Sequence, residues 1–181
     1  MEKVKNFNVL EKIALDLGAI DAKVFSADQI VVEDRVRLKC MVGCPFYGKT
    51  LKCPPYTPSI DDFRNILKEY NFAMIIKLKL PEIISESGHY RTLLTILLEI
   101  ERAAFNQGYT FATVFYAGHC RLCEKCNVEN GTCLNPMMSR FSAEAMGINL
   151  LKTAKNVGME LKIPTSDNKI PLTPMAILLI D

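Results

Sequence analysis

All seven cysteines of this 181-residue chain fall in two short stretches, KCMVGCPFYGKTLKCPPYTP from Lys39 to Pro58 and GHCRLCEKCNVENGTCLNP from Gly118 to Pro136. In the second stretch Cys120, Cys123, Cys126 and Cys133 are spaced C-x2-C-x2-C-x6-C. Two-residue gaps let successive sulfurs curl around a common centre with backbone N–H groups turned toward them, the ligation pattern of ferredoxin-type [4Fe–4S] clusters. The departure is the six-residue gap NVENGT before Cys133, long enough for that residue to fold back onto the same cluster. A structural zinc site of four cysteines is the competing reading, although such sites more often use two separated C-x2-C knuckles than one triple run. His119, directly before Cys120, is a further candidate to ligate or hydrogen-bond to the centre. Its plainer reading is a bystander, and that of His89, at the start of a helix, is a surface residue.

In the first stretch Cys40, Cys44 and Cys53 are spaced C-x3-C-x8-C, which is not the C-x3-C-x2-C triplet of radical-SAM enzymes. Pro45, Pro54 and Pro55 stiffen the loop by fixing their own φ and restraining the preceding residue. Arg35, Arg37, Lys39, Lys49 and Lys52 surround the thiols, and cationic neighbours favour thiolate and offset a thiolate-ligated centre. Exposed basic loops are common, so the same run is also compatible with a solvated surface. Three cysteines leave a metal centre one ligand short. That position is either closed by a residue from elsewhere or open to a small molecule, as catalysis at a metal requires. The plain alternative is that these three thiols pack as small apolar side chains.

The compartment decides how thiols are read. The N-terminal MEKVKNFNVLEK has no apolar segment followed by small residues, so no secretory signal is expected, and no stretch reaches the length of a membrane helix. A cytoplasmic location follows as the expectation, and there structural disulfides are disfavoured. An odd cysteine count also forbids complete pairing. Formal net charge is +2 with both signs interspersed, which gives no electrostatic reason to expect nucleic acid or a membrane surface as partner.

The elements that must position these loops follow from periodicity and caps. Asn8, with Glu11 three residues on, is expected to start a helix that Gly18 ends. A short strand is read at AIDAKVF, and a helical turn near Asp34 to Lys39. Ser59 with Asp62 starts a second helix with Phe63, Ile66 and Leu67 inward, before the strand FAMIIKLKL. A long helix spans about His89 to Gln107, and TFATVFYA, apolar on both faces, reads as a central strand. A helix from about Ser142 to Val157 precedes two closing strands, MELKI and PMAILLI. The expected fold is a single-domain α/β sandwich over residues 1–181 with a mixed, largely parallel sheet of about five strands and flanking helices. Each cysteine loop follows a strand, so parallel strands would bring both loops to one carboxyl edge. The apolar TLLTILLEI is either core or a homodimer face.

VRLKCMVGCPFYGKTLKCPPYTPS, GHCRLCEKC and NPMMSRFSAEAMGIN resemble the three blocks of a cysteine-rich family, domain of unknown function 2284, described as predicted metal-binding proteins of anaerobic archaea and bacteria. The resemblance covers nearly the whole chain and carries all seven cysteines, from Cys40 to Cys133, as metal-binding positions. Phe141 stands where members often have proline, and Ser142 still offers a helix cap. In that block Arg140 is a candidate to approach an anionic centre. Glu144 is a candidate acid or base, although a carboxylate at a helix N-terminus is the plainer reading. The combined expectation is a protein with one [4Fe–4S] cluster, and room for a second, in electron transfer or redox support in anaerobic metabolism, acting with a redox partner protein or a small-molecule substrate. An iron–sulfur enzyme with an open three-cysteine site and a zinc-stabilised interaction module are the alternatives.

Overall fold

The computed structural model describes residues 7–80, 86–159 and 173–181. In chain order these form α1 (Phe7–Asp16), β1 (Ala19–Ser26), α2 (Asp34–Gly43), α3 (Ile60–Leu67), β2 (Phe72–Leu78), α4 (Glu86–Asn106), β3 (Thr113–Tyr116), α5 (Leu150–Asn156) and β4 (Met175–Leu179). Two 3-10 turns, Ala27–Gln29 and Glu144–Met146, lie between them.

The sheet corrects the expectation. Among the described residues it has four strands in the order β1-β2-β4-β3, and every hydrogen-bonded strand pair is antiparallel. The expected strand MELKI falls almost wholly outside the described residues, beyond Met159. The direction error has a physical cause. One helix between two strands returns the chain to its starting end, which makes the strands run the same way. Two helices, α2 and α3, separate β1 from β2, so the chain is reversed twice and β2 runs opposite to β1. A single helix, α4, joins β2 to β3, and these two do run the same way, with β4 inserted between them as in a split β-α-β unit. The strand read as central, β3, is therefore at an edge. Its apolar outer rim is covered instead by the chain at Phe141–Ala143, where Ala143 N donates to Tyr116 O at 3.0 Å.

Helices cover both faces. On one, Leu10 and Ala14 of α1 and Leu93, Leu94, Leu97 and Ile100 of α4 pack on Met74, Ile76 and Leu178. TLLTILLEI is thus core, each such buried side chain contributing about 1.5–3 kcal/mol. On the other face Phe63, Met146, Ile148 and Ala154 pack on Ile75, Phe115 and Ile177. The α3 capping box forms as read, with Ser59 Oγ accepting from Asp62 N at 3.0 Å, although Ile66 is exposed. At α1 the box does not form, because Phe7 is already helical and Glu11 accepts from Val24 N at 2.7 Å.

The helix expected over Ser142–Val157 breaks at Gly147, φ 74°. A β-carbon there would stand 3.1 Å from Ile60 Cδ1 and 3.3 Å from Glu33 O, so glycine permits both the turn and the close approach to α2 and α3. Ser142 Oγ caps the short turn through Ala145 N at 3.0 Å, and Asn149 restarts the helix by accepting from Lys152 N at 3.0 Å.

Candidate metal centre

The two cysteine stretches meet, but not by the expected route. Strand register puts Ser26, Phe72, Leu179 and Thr113 at one end of the sheet and Ala19, Leu78, Met175 and Tyr116 at the other. The second stretch leaves β3 directly at the Tyr116 end. The first leaves β1 at the opposite end and is carried back by α2, whose ten residues span about 15 Å. Cys40 lies in the last turn of α2, and Cys44 is its C-terminal cap residue.

Contacts across the junction are specific. Leu51 N donates to Cys126 Sγ at 3.4 Å. Phe46 stacks on the His119 ring with centroids 3.4 Å apart, and the backbone N–H of Cys120 faces the Cys53 sulfur. Further polar groups reach the second-stretch thiols: Asn135 Nδ2 donates to Cys123 Sγ at 3.1 Å, Ser139 Oγ and Cys133 Sγ share a hydrogen bond of 3.3 Å, and the Tyr90 hydroxyl faces the Cys120 sulfur. Cys120, Cys123, Cys126 and Cys133 all line one cavity of about 890 Å³ at this junction. Cys40, Cys44 and Cys53 lie outside its lining, with Cys53 the only buried thiol of the seven.

Burial raises the pKa values that matter here, so these groups are weaker acids than in water. It pushes the Cys40 thiol up to about 11, with Cys44, Glu144 and Cys53 adding to the rise. Burial also raises Cys53 and Cys120, against the lowering effect of the donors that face them. Tyr116 is pushed up to about 12 by burial, and Tyr90 is raised by burial and by the neighbouring Cys120.

Among the described residues no three Cys, His, Asp or Glu side chains stand in a ready-made metal-holding arrangement. The sulfurs are gathered rather than closed around a point. Their chemistry nonetheless fits a thiophilic metal: four cysteines line one cavity, and two of their sulfurs accept N–H hydrogen bonds of the kind that orient and tune metal-bound sulfur. The profile of a family described as predicted metal-binding protein (DUF2284) matches residues 23–180.

The chain belongs to this DUF2284 family.

No curated protein and no solved structure matches it. Family membership establishes metal binding as the predicted property and leaves the metal unspecified. No helix among the described residues is long and apolar enough to cross a membrane.

Other candidates of the sequence take structural places. Arg140 does not face the cavity. It pairs with Glu101 of α4 through two hydrogen bonds, one of 2.9 Å from Nε, and also donates to the carbonyls of Met137 and Ser139. Glu144 accepts from Gly118 N at 3.0 Å, bracing the start of the second stretch, and burial raises its carboxyl. The His119 Nε2 accepts from Arg121 Nε at 3.1 Å. His89 is partly exposed, and its Nε2 is buried with no hydrogen-bond partner among the described residues. Sequence reasoning missed Tyr90, Asn135, Ser139 and Leu51. Asn135 and Ser139 were within sight, two and six residues past Cys133; Tyr90 and the Leu51 amide gave no local signal.

Proposed function

We propose that Cys120, Cys123, Cys126 and Cys133 hold one [4Fe–4S] cluster, and that the protein serves electron transfer or redox support to a partner enzyme in anaerobic metabolism. The observation that carries this reading is the shared cavity: all four cysteines of the C-x2-C-x2-C-x6-C run line it. The bound group would supply one-electron chemistry. The chain's own part is positional. Leu51 N and Asn135 Nδ2 donate to Cys126 and Cys123, orienting those sulfurs and withdrawing electron density from them. The Arg140–Glu101 pair fixes the segment after Cys133 to α4.

An iron–sulfur enzyme that uses Cys40, Cys44 and Cys53 as an open site is the second reading. It is favoured by one observation: the Cys53 sulfur faces Cys120 N–H, which sets the three-cysteine group against the four-cysteine cavity. The test of the leading reading is iron, zinc and acid-labile sulfide per chain after anaerobic purification. A brown protein with about four irons from this site supports it. A colourless protein with stoichiometric zinc and no labile sulfide rejects it in favour of the zinc-stabilised module.

A further inference from the structure

The cavity has more room than a cluster needs. A cubane is four irons and four sulfides; at the roughly 30 Å³ occupied by one water molecule, eight such atoms take about 240 Å³. The cavity measures about 890 Å³, toward the upper end of the range for pockets that take organic ligands.

The wall contributed by the first stretch has a definite character. Lys49, Thr50, Leu51 and Lys52 all line the cavity together with the second-stretch cysteines. Among the described residues neither Lys49 nor Lys52 has a carboxylate partner, and Lys52 lies 4.7 Å from the centre of the Phe141 ring. Between them Thr50 is only 6% exposed, and its Oγ1 has no hydrogen-bond partner. It approaches the Cys53 thiol without forming a hydrogen bond to it. A buried hydroxyl left unpaired is costly, and a ligand oxygen would complete it. Arg91, Arg121 and Lys125 add positive charge to the lining, and Glu124 is its one acid. Four thiolates would absorb part of that charge if they carried the cluster, whose net charge with them is about −2.

We propose that Lys49, Thr50 and Lys52 form a subsite for a small oxyanion, the carboxylate or phosphate group of a small molecule, held beside the four-cysteine centre. The subsite deepens the iron–sulfur reading and rests on it for the identity of the neighbouring centre. Two ammonium groups attract the anion, and Thr50 Oγ1 donates to one of its oxygens. Bound there, a small molecule lies in the same cavity as the four sulfurs.

The experiment is isothermal titration calorimetry of the full chain, anaerobically purified, with inorganic phosphate and with succinate at fixed ionic strength, against chloride. Saturable binding of at least one anion is expected, and the preference between the two separates a phosphate from a carboxylate ligand. The Lys49→Ala/Lys52→Ala variant is expected to lose about tenfold or more in affinity, and Thr50→Val to lose affinity, with iron and labile sulfide unchanged in both. Heats no different from chloride, or unchanged affinity in the double variant, would overturn the proposal. Loss of iron from the double variant would also overturn it, since the lysines would then be counter-charges of the cluster. A wild-type chain that carries zinc, or no iron, yet binds the anion with the same lysine dependence would uphold the subsite and remove the iron reading.

Discussion

The backbone N–H of Leu51 donates to the sulfur of Cys126 at 3.4 Å, joining the two cysteine stretches across 75 positions of sequence. A backbone donor belongs to no side chain, so it constrains the fold of both loops rather than the identity of residue 51. Asn135 offers the same kind of donor from a side chain, with Nδ2 at 3.1 Å from Cys123 Sγ. Donors to metal-bound sulfur draw electron density from it and raise the potential of the centre. Asn135→Ala is therefore expected to keep the metal with affinity weakened by about 10–100-fold and a more negative midpoint potential. A redox titration followed by EPR checks this, and a potential equal to that of the wild type would show that the contact does not tune the centre.

Glu33 governs how the first stretch is delivered. It accepts hydrogen bonds from Arg35, Asn149 and Lys152, tying the start of α2 to α5. Arg35 first, then Lys152 and Asn149, hold its carboxyl down at about 2, against an ordinary value of 4.5. A depressed carboxylate contributes stability that is present above its unfolded value and is lost as pH falls toward its folded one. The expected result is a stability decrease between about pH 4.5 and 2 that is smaller in Glu33→Gln, the remainder coming from other carboxylates such as Asp34. Urea midpoints across that range measure it, and parallel curves for the two proteins would count against the clamp.

What was legible in the sequence was local. The Ser59–Asp62 box, the strand FAMIIKLKL and the long helix ending near Gln107 all depend on neighbours within a few residues. Strand direction was not legible, because it depends on whether α2 is one turn or a full helix that reverses the chain. Nothing in DRVRLKCMVG announces that helix, since none of its residues is buried and it has no apolar stripe to read. The meeting of the loops was expected for a reason that does not hold, parallel strands, and occurs for another, the return along α2. Arg140 was misjudged because its partner Glu101 lies 39 residues away on α4, beyond any motif.

That Arg140–Glu101 pair is largely buried, the two side chains being 19% and 15% exposed. Glu101 also accepts from Val114 N at 2.8 Å, so one carboxylate joins α4, β3 and the segment after Cys133. Removing one partner of such a pair leaves the other charge uncompensated, at a cost of about 3–5 kcal/mol. Arg140→Ala is expected to destabilise the metal-free chain by about 3 kcal/mol, discounted for the residual exposure. Chemical unfolding of metal-free protein checks it. A loss confined to metal content, with stability unchanged, would mean that Arg140 serves the centre and not the frame.

The division between the two cysteine groups is testable by grading substitutions according to position. Cys123 lines the cavity and receives Asn135, so on the proposed iron–sulfur reading Cys123→Ala is expected to abolish iron binding there. Cys40, in α2, lies outside the cavity lining, with Cys44, Glu144 and Cys53 as its electrostatic neighbours. Cys40→Ala is therefore expected to leave about four irons per chain, whether or not the first group carries a centre of its own. Cys53 stands between the groups: it is 7% exposed, its sulfur faces the Cys120 N–H, and it feels the charge of both Cys44 and Cys120. Its removal withdraws an acceptor from Cys120 N–H and leaves a small void at the junction, so Cys53→Ala is expected to lower occupancy of the four-cysteine site without emptying it. Where the first group carries no centre of its own, iron and labile sulfide in the three variants give the order Cys40→Ala above Cys53→Ala above Cys123→Ala. If Cys40→Ala emptied the chain of iron as completely as Cys123→Ala, the seven thiols would belong to one indivisible centre and the separation drawn from the cavity would be wrong.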